Sequence, residues 1–418
     1  MGFVSLFLYG LIKLPFYGST KHLDTALLLA GFACLFAYGG KSIKSSVPVW
    51  CALAAVLVTL ATWLSGQITH PELIKSTPKL EHLANHFLFV VFAFWLMGSV
   101  QKTLVFWACA MASVVIAPWW LGGGWNELAL GWAGQRINLG IHNAQHTSVV
   151  MGSALIAWLV FAKRMFSSFS HRSLLALVWL TVAVLLCIGF VASQTRAAFI
   201  GMSLAMVLLV SGLLYFGFQS GQRLRYGTVA ALVLLATVAS VLLGQETLVA
   251  RFAESAPAAM QIMAGNWDAV PPTSLGLRIH SWRAGLEWAA QYPLFGLGRN
   301  GGLIVMQNTE WLQAFPVSDF GHMHNSALEF LVRYGILGLS IYVVLMFWIA
   351  NQAHIAWKCG IMPTDFYTFF WLFFIFYTFV NMFESFMFYS TGILPFTVVM
   401  AGLLGFIWQN KTKTSSPH

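Results

Sequence analysis

SLLALVWLTVAVLLCIGFVA, residues 173–192, is a run of twenty residues without one charged side chain. A helix of about 20 apolar residues crosses the ~30 Å hydrocarbon layer of a bilayer. Comparable runs lie at 3–18, 23–40, 47–66, 83–100, 103–120, 146–162, 197–218, 227–244, 327–350, 366–383 and 390–408. The chain has 418 residues, is 59% hydrophobic and only 8% charged, and has a mean hydropathy of +0.76. No soluble fold hides that much apolar surface. The expectation is one all-α polytopic membrane domain over residues 1–418, with about 12 transmembrane helices. The 3–18 run is the weakest, because Lys13 and Pro15 fall inside it. The N-terminus has no cleavable signal pattern and is expected to stay as the first helix.

Charge placement sets the expected orientation. With the N-terminus inside, the short inner loops carry Lys41, Lys44, Lys102, Lys163, Arg164, Arg172, Arg223, Arg225, Lys358, Lys411 and Lys413. Asp365 is their only acid, and the remaining acids fall at outer positions. The positive-inside rule then puts both termini in the cytoplasm and residues 245–325, between the ninth and tenth spans, outside. The inner cations account for the net charge of +9, and no soluble basic stretch is interleaved with aromatics, so nucleic acid is set aside. The five cysteines, Cys34, Cys51, Cys109, Cys187 and Cys359, lie in spans or on the inner side, where no disulfide framework is expected.

Chemistry concentrates in the outer segments. The 245–325 loop reads as partly helical: Glu246–Met263 is amphipathic, Ser274 can cap a helix to about Gln291, and Pro293 ends it. A glycine-rich turn follows at Gly296, Gly298, Gly301 and Gly302, and the tenth span begins near Asn325. The loop has no lysine; Arg251, Arg278, Arg283 and Arg299 stand against six acids for a formal −2. Individually placed guanidiniums suit bidentate grip of phosphate, whereas a generic anion-attracting surface would be net positive. Arg196, in SQTRAAF at the mouth of the eighth span, and Arg278 have no acid nearby in sequence. Arg136 and Arg333 lie at the outer membrane edge. Trp282 shares a helix face with Arg278, while Arg283 points elsewhere and can pair with Glu287.

His322-Met-His324-Asn325 is the strongest catalytic candidate. A neutral imidazole can take a proton from a sugar hydroxyl near neutral pH. Asn325 can orient substrate or cap the following helix. The H-x-H pair could hold a metal with Asp319 or Glu329, but no carboxylate cluster or DxD pattern supports this. His142 and His146, four apart, could ligate a metal too, but they read rather as a solvated or helix-start pair. No phosphate-binding Gly-Lys loop, G-x-S-x-G, H-E-x-x-H or dinucleotide fingerprint is present, so nucleotide-driven chemistry is not expected and any donor must arrive activated.

The ordered set TRAAF (195–199), LRIHSWRAGLEW (277–288), YPLFGLG (292–298) and HNSALEFLVRYGILG (324–338) resembles the bacterial O-antigen ligase family. That family belongs to a superfamily with O-antigen polymerases and protein O-oligosaccharyltransferases. The resemblance implies a C-type, inverting, metal-independent glycosyltransferase of the bacterial inner membrane, without cofactor and with its site facing the periplasm. Its donor would be an undecaprenyl-pyrophosphate-linked glycan and its acceptor the outer-core sugar of lipid A-core. Carried over by motif, His324 activates the acceptor hydroxyl, while Arg196 and Arg278 bind the pyrophosphate. Arg136, Trp282, Arg283, Arg299, His322 and Asn325 are expected around the substrates. A polymerase sharing the donor is the nearest alternative; about ten residues follow the last span, fewer than oligosaccharyltransferases carry. A transporter of a lipid-linked glycan is disfavoured, because the charges sit at the outer edge and not at mid-membrane.

Overall fold

The computed structural model describes residues 2–168, 172–243, 245–315 and 321–414. The chain is 79% helical and has no strand among the described residues, so the all-α expectation holds. The elements that position the site are α1 (Gly2–Ile12), α2 (Lys21–Tyr38), α3 (Val47–Thr69), α4 (Leu88–Leu96), α5 (Val100–Trp120), α6 (Trp125–Trp132), α7 (Ala144–Val160), α8 (Arg172–Ala192), α9 (Arg196–Gln219) and α10 (Arg223–Leu243). They continue with α11 (Gln245–Met263), α12 (Ser274–Gln291), α13 (Gly301–Asn308), α14 (Ser326–Lys358), α15 (Thr364–Asn381) and α16 (Ser390–Thr414).

Among the described residues, six segments are long and apolar enough to cross a membrane: Val47–Thr69, Val100–Trp120, Ser173–Ala192, Arg196–Gln219, Ser326–Lys358 and Ser390–Lys411. Three shorter apolar helices, His22–Tyr38, Glu81–Leu96 and Ala144–Val160, lie beside them. The expected 3–18 span is not one straight helix. α1 ends at Ile12 and the chain turns through Lys13 and Pro15. There the buried Lys13 ammonium lies 2.5 Å from Asp24 and 3.0 Å from Thr20, the pairing that a buried cation needs. Residues Ser390–Lys411 form the hub: 89% of that span is buried, against 39% or less for the other five. α16 packs against α4 and α7, while α15 fits between α9 and α7, with the Phe376 ring against Gly152 of α7 and Gly201 of α9. Arg164, after α7, grips Asp365 of α15 through two bonds of 2.6 and 2.9 Å, so these two residues share one end of the bundle.

Residues 245–315 fold onto the other end. α11 and α12 fall close to the expected boundaries, although the cap of α12 is Thr273, one residue before Ser274. Gly301 and Gly302, expected in a turn, instead start the helix α13, where their lack of a side chain lets it approach Val332 and Glu329 of α14. The Thr273 hydroxyl accepts from the Gly276 amide at 3.2 Å. A second hydrophobic core, Ala284, Val305, Met306, Leu312, Met323 and Val332 among its members, joins this segment to the start of α14. The loop is therefore docked by apolar burial.

The glycines of YPLFGLG and of α14 meet back to back. α14 is kinked at Gly335 (φ 63, ψ −164), a region open essentially to glycine alone. The kink leaves the carbonyls of Val332 and Arg333 to accept from the amides of Leu297 and Gly298, both at 2.8 Å. A Cβ on Gly335 would stand 2.2 Å from the Leu294 carbonyl oxygen. Gly335→Ala is accordingly expected to destabilise the protein by at least ~2 kcal/mol, read as a lowered Tm in detergent.

Candidate functional site

Six chain segments, around Arg136, Gln145, Arg196, Ser255, Arg278 and Glu384, bring polar groups to one cavity of about 300 Å³, the lower end of the volume range of ligand pockets. Arg196 starts α9, where the buried Thr195 holds the turn by donating its hydroxyl to the Ala144 carbonyl at 3.3 Å. Its guanidinium donates to the Ser255 hydroxyl of α11. Arg278, on the first turns of α12, donates to the carbonyl and hydroxyl oxygens of Ser274, both at 3.2 Å. With the Gln145 amide oriented by its partners, its oxygen accepts from Arg278 Nη2 at 2.5 Å and its nitrogen donates to Glu384. Arg278 Nε is buried without a hydrogen-bond partner among the described residues. The exposed Arg136 completes the lining and donates to the Ser193 carbonyl at 3.2 Å.

Glu384 links this cavity to the histidines. It lies in the short turn between α15 and α16 and is only 3% exposed. Oε2 lies 3.0 Å from His324 Nδ1, Oε1 lies 3.2 Å from His322 Nδ1, and Oε1 also accepts from the Ser385 amide at 2.9 Å. Burial pushes its carboxyl up. The His324 hydrogen bond, both imidazoles and the Ser385 amide together outweigh that and hold it at about 2, so it is a carboxylate at neutral pH. Burial, opposed by Glu384, holds His322 at about 4 and hence neutral. Burial also lowers the Arg278 pKa, with Glu384 opposing and Arg196 adding to the shift.

A second carboxylate holds the turn itself. Glu329 is fully buried, pairs with Arg333 at 2.5 Å and accepts from the Met323 amide at 2.6 Å. Trp282 donates its indole N–H to the Met323 carbonyl at 2.8 Å, which ties α12 to the same turn. Asn325 caps α14, its side chain accepting from the Leu328 amide at 3.0 Å. These bonds keep His324 at φ 50, unusual for a residue with a Cβ.

The structure thus brings Arg196, Arg278 and Arg136 to one cavity and connects it through Glu384 to His322 and His324. It does not bring Arg283 or Arg299 there. Arg283 is exposed, pairs with Asp268 at 2.6 Å and Glu287 at 3.2 Å, and lies over the Trp311 ring. Arg299 lines a separate small pocket with Thr59, Trp63 and Tyr334. Asp319 and the side chain of Arg251 lie outside the described residues. The carboxylate beside the H-x-H pair is Glu384, where the sequence offered Asp319 or Glu329. The ligand atoms of His322, His324 and Glu384 lie within 4.8 Å of one another, close enough for a divalent cation to bridge. Sequence reasoning missed Glu384, Gln145 and Ser255. The available signal for Glu384 was its place in the short turn between two apolar runs of a chain with only 13 acids.

Residues 181–343 match the family model described as O-Antigen ligase. The matched segment contains Arg196, Arg278, His322, His324 and the Gly335 kink, and stops before Glu384. No curated protein matches the chain. The match supports the motif resemblance of this segment to the O-antigen ligase superfamily, whose members are membrane glycosyltransferase-like enzymes.

Proposed function

We propose that this chain is an O-antigen ligase, transferring a glycan from undecaprenyl pyrophosphate to the outer-core sugar of lipid A-core. The observation that carries this reading is the Glu384 bridge, which joins an arginine-lined cavity to the imidazole of His324. In this reading Arg196, Arg278 and Arg136 take the diphosphate, and the unused Nε donor of Arg278 supports such a ligand. Exposed Ile200 and Phe252 at the cavity rim suit the lipid end. Glu384 accepts the Nδ1 proton of His324, so Nε2 carries the lone pair that a general base needs. The acceptor oxygen bonds to the anomeric carbon as the carbon–oxygen bond to the diphosphate breaks. Its proton passes to His324 Nε2, and the electron pair leaves with the diphosphate, where the guanidiniums stabilise the developing charge. Attack opposite the leaving group inverts the anomeric carbon. The helices are read as about twelve spans of a C-type fold in the inner membrane, with both termini cytoplasmic and the cavity periplasmic.

The test uses purified protein, lipid-diphosphate glycan and lipid A-core, with and without chelator. Transfer is expected to survive chelation and to fall at least ~100-fold in His324→Ala. Loss on chelation would replace the metal-independent reading by a cation at His322, His324 and Glu384. Elongated lipid-linked glycan, with lipid A-core unmodified, would make the protein a polymerase.

A further inference from the structure

We propose that His142, Tyr389 and His322 form the subsite for the acceptor saccharide, outside the arginine cavity and reached across Glu384. This rests on the glycosyl-transfer reading above.

Two His-Asn pairs in this chain are built alike. His142 has φ 48 and precedes Asn143, which caps α7 by accepting from the amides of Gln145 and His146 at 2.9 and 3.0 Å. His324 has φ 50 and precedes Asn325, which caps α14. Left-handed backbone at a residue with a Cβ costs about 1–3 kcal/mol and concentrates at functional sites. Both strained turns deliver an imidazole to one place. The Tyr389 ring centroid lies 5.1 Å from His142, 5.3 Å from His146 and 5.2 Å from His322. The rings of His322 and His324 are 4.0 Å apart, so this cluster touches the proposed base.

The members differ in how their polar atoms are used. His146 is buried and its Nδ1 bonds the Thr391 hydroxyl at 2.8 Å, a structural assignment. His322 and His324 are held by Glu384. His142 is exposed, and neither its ring nor the Tyr389 hydroxyl makes a hydrogen bond among the described residues. Burial, opposed by Glu384, lowers the His142 pKa, which favours the neutral ring. A neutral imidazole offers one donor and one acceptor, and a phenol offers both on one atom. Sugar hydroxyls need that pairing, and the ring faces suit their C–H surface.

Position selects acceptor over donor. The cavity of Arg136, Arg196 and Arg278 is lined by Glu384 and Phe386 but by none of His142, His322 and Tyr389. In-line displacement requires the nucleophile to approach away from the leaving diphosphate. A saccharide on these rings stands beside the base and outside the leaving-group pocket.

The test is steady-state kinetics of His142→Asn and Tyr389→Phe, varying lipid A-core and lipid-diphosphate glycan separately. Asparagine tolerates the left-handed backbone, so the turn is retained. Each variant is expected to raise the acceptor KM about tenfold, the equivalent of a lost hydrogen bond, with donor KM and kcat changing less than about threefold. An unchanged acceptor KM, or an equal rise in both KM values, would overturn the subsite while leaving wild-type transfer intact. If His142→Asn does not fold, Tyr389→Phe alone decides. A wild-type protein that transfers nothing would instead remove the reading on which the subsite rests.

Discussion

Glu384→Gln is expected to lower kcat by about 10²–10³-fold while shifting the donor KM only a few-fold. The carboxylate is acceptor-only, and its Oε2 lies 3.0 Å from His324 Nδ1. That contact requires the proton on Nδ1 and leaves Nε2 as the base. A carboxamide has one oxygen, and Oε1 already accepts from the Ser385 amide at 2.9 Å. If the amide oxygen keeps that bond, its nitrogen faces His324, donates to Nδ1 and imposes the tautomer with the proton on the working nitrogen. The size of the loss follows from removing base catalysis without removing substrate contacts. A second readout separates this positioning role from simple unfolding. Glu384→Asp, which keeps the charge, is expected to recover part of kcat. A Gln variant with full kcat would remove Glu384 from the chemistry.

Arg278→Ala is expected to lower kcat/KM by about 10²–10³-fold, the range for deleting one preorganised charge-stabilising donor. Arg278 contacts Ser274 and Gln145, and the bonds of Gln145 to both Arg278 and Glu384 couple cavity and base. Its substitution therefore removes a diphosphate ligand and also loosens the amide that faces Glu384. Lysine keeps a positive charge but loses the planar fork, so Arg278→Lys is expected to recover at most about one tenth of the activity. The measurement is single-turnover transfer with purified protein, together with titration of glycan-free undecaprenyl pyrophosphate by tryptophan fluorescence. Wild-type affinity for the lipid diphosphate in Arg278→Ala would remove this residue from the donor site. Arg283→Ala serves as the contrast: exposed and already paired with Asp268 and Glu287, it is expected to change kcat/KM by less than threefold, as is usual for surface ion pairs.

Local signals were legible and distant ones were not. Two helices of the 245–325 loop, α11 and α12, were readable because amphipathic spacing, prolines and a hydroxyl cap act within a few residues of the backbone they shape, whereas α13 formed where the glycines suggested only a turn. The pairing of Arg283 with Glu287 was readable because four residues make one helical turn. The 3–18 run misled because hydropathy averages over Lys13, whereas the chain turns there to pair it with Asp24. Arg299, like Arg278, has no acid nearby in sequence, yet it ends in another pocket. Charge spacing alone does not distinguish the two.

By itself the sequence determined the class: apolar runs of span length, a long polar segment between them, the His-Asn turn and the arginines without nearby acids. Each is a property of composition or short-range spacing, which the backbone expresses wherever the segment lies. Only the tertiary structure chose which of these residues meet. Glu384 reaches His324 from 60 residues along the chain because the α15–α16 turn packs against the start of α14. Arg196 reaches Ser255 from 59 residues away because α11 folds back over α9. Such contacts are fixed by the burial of many side chains at once, and no local spacing encodes them.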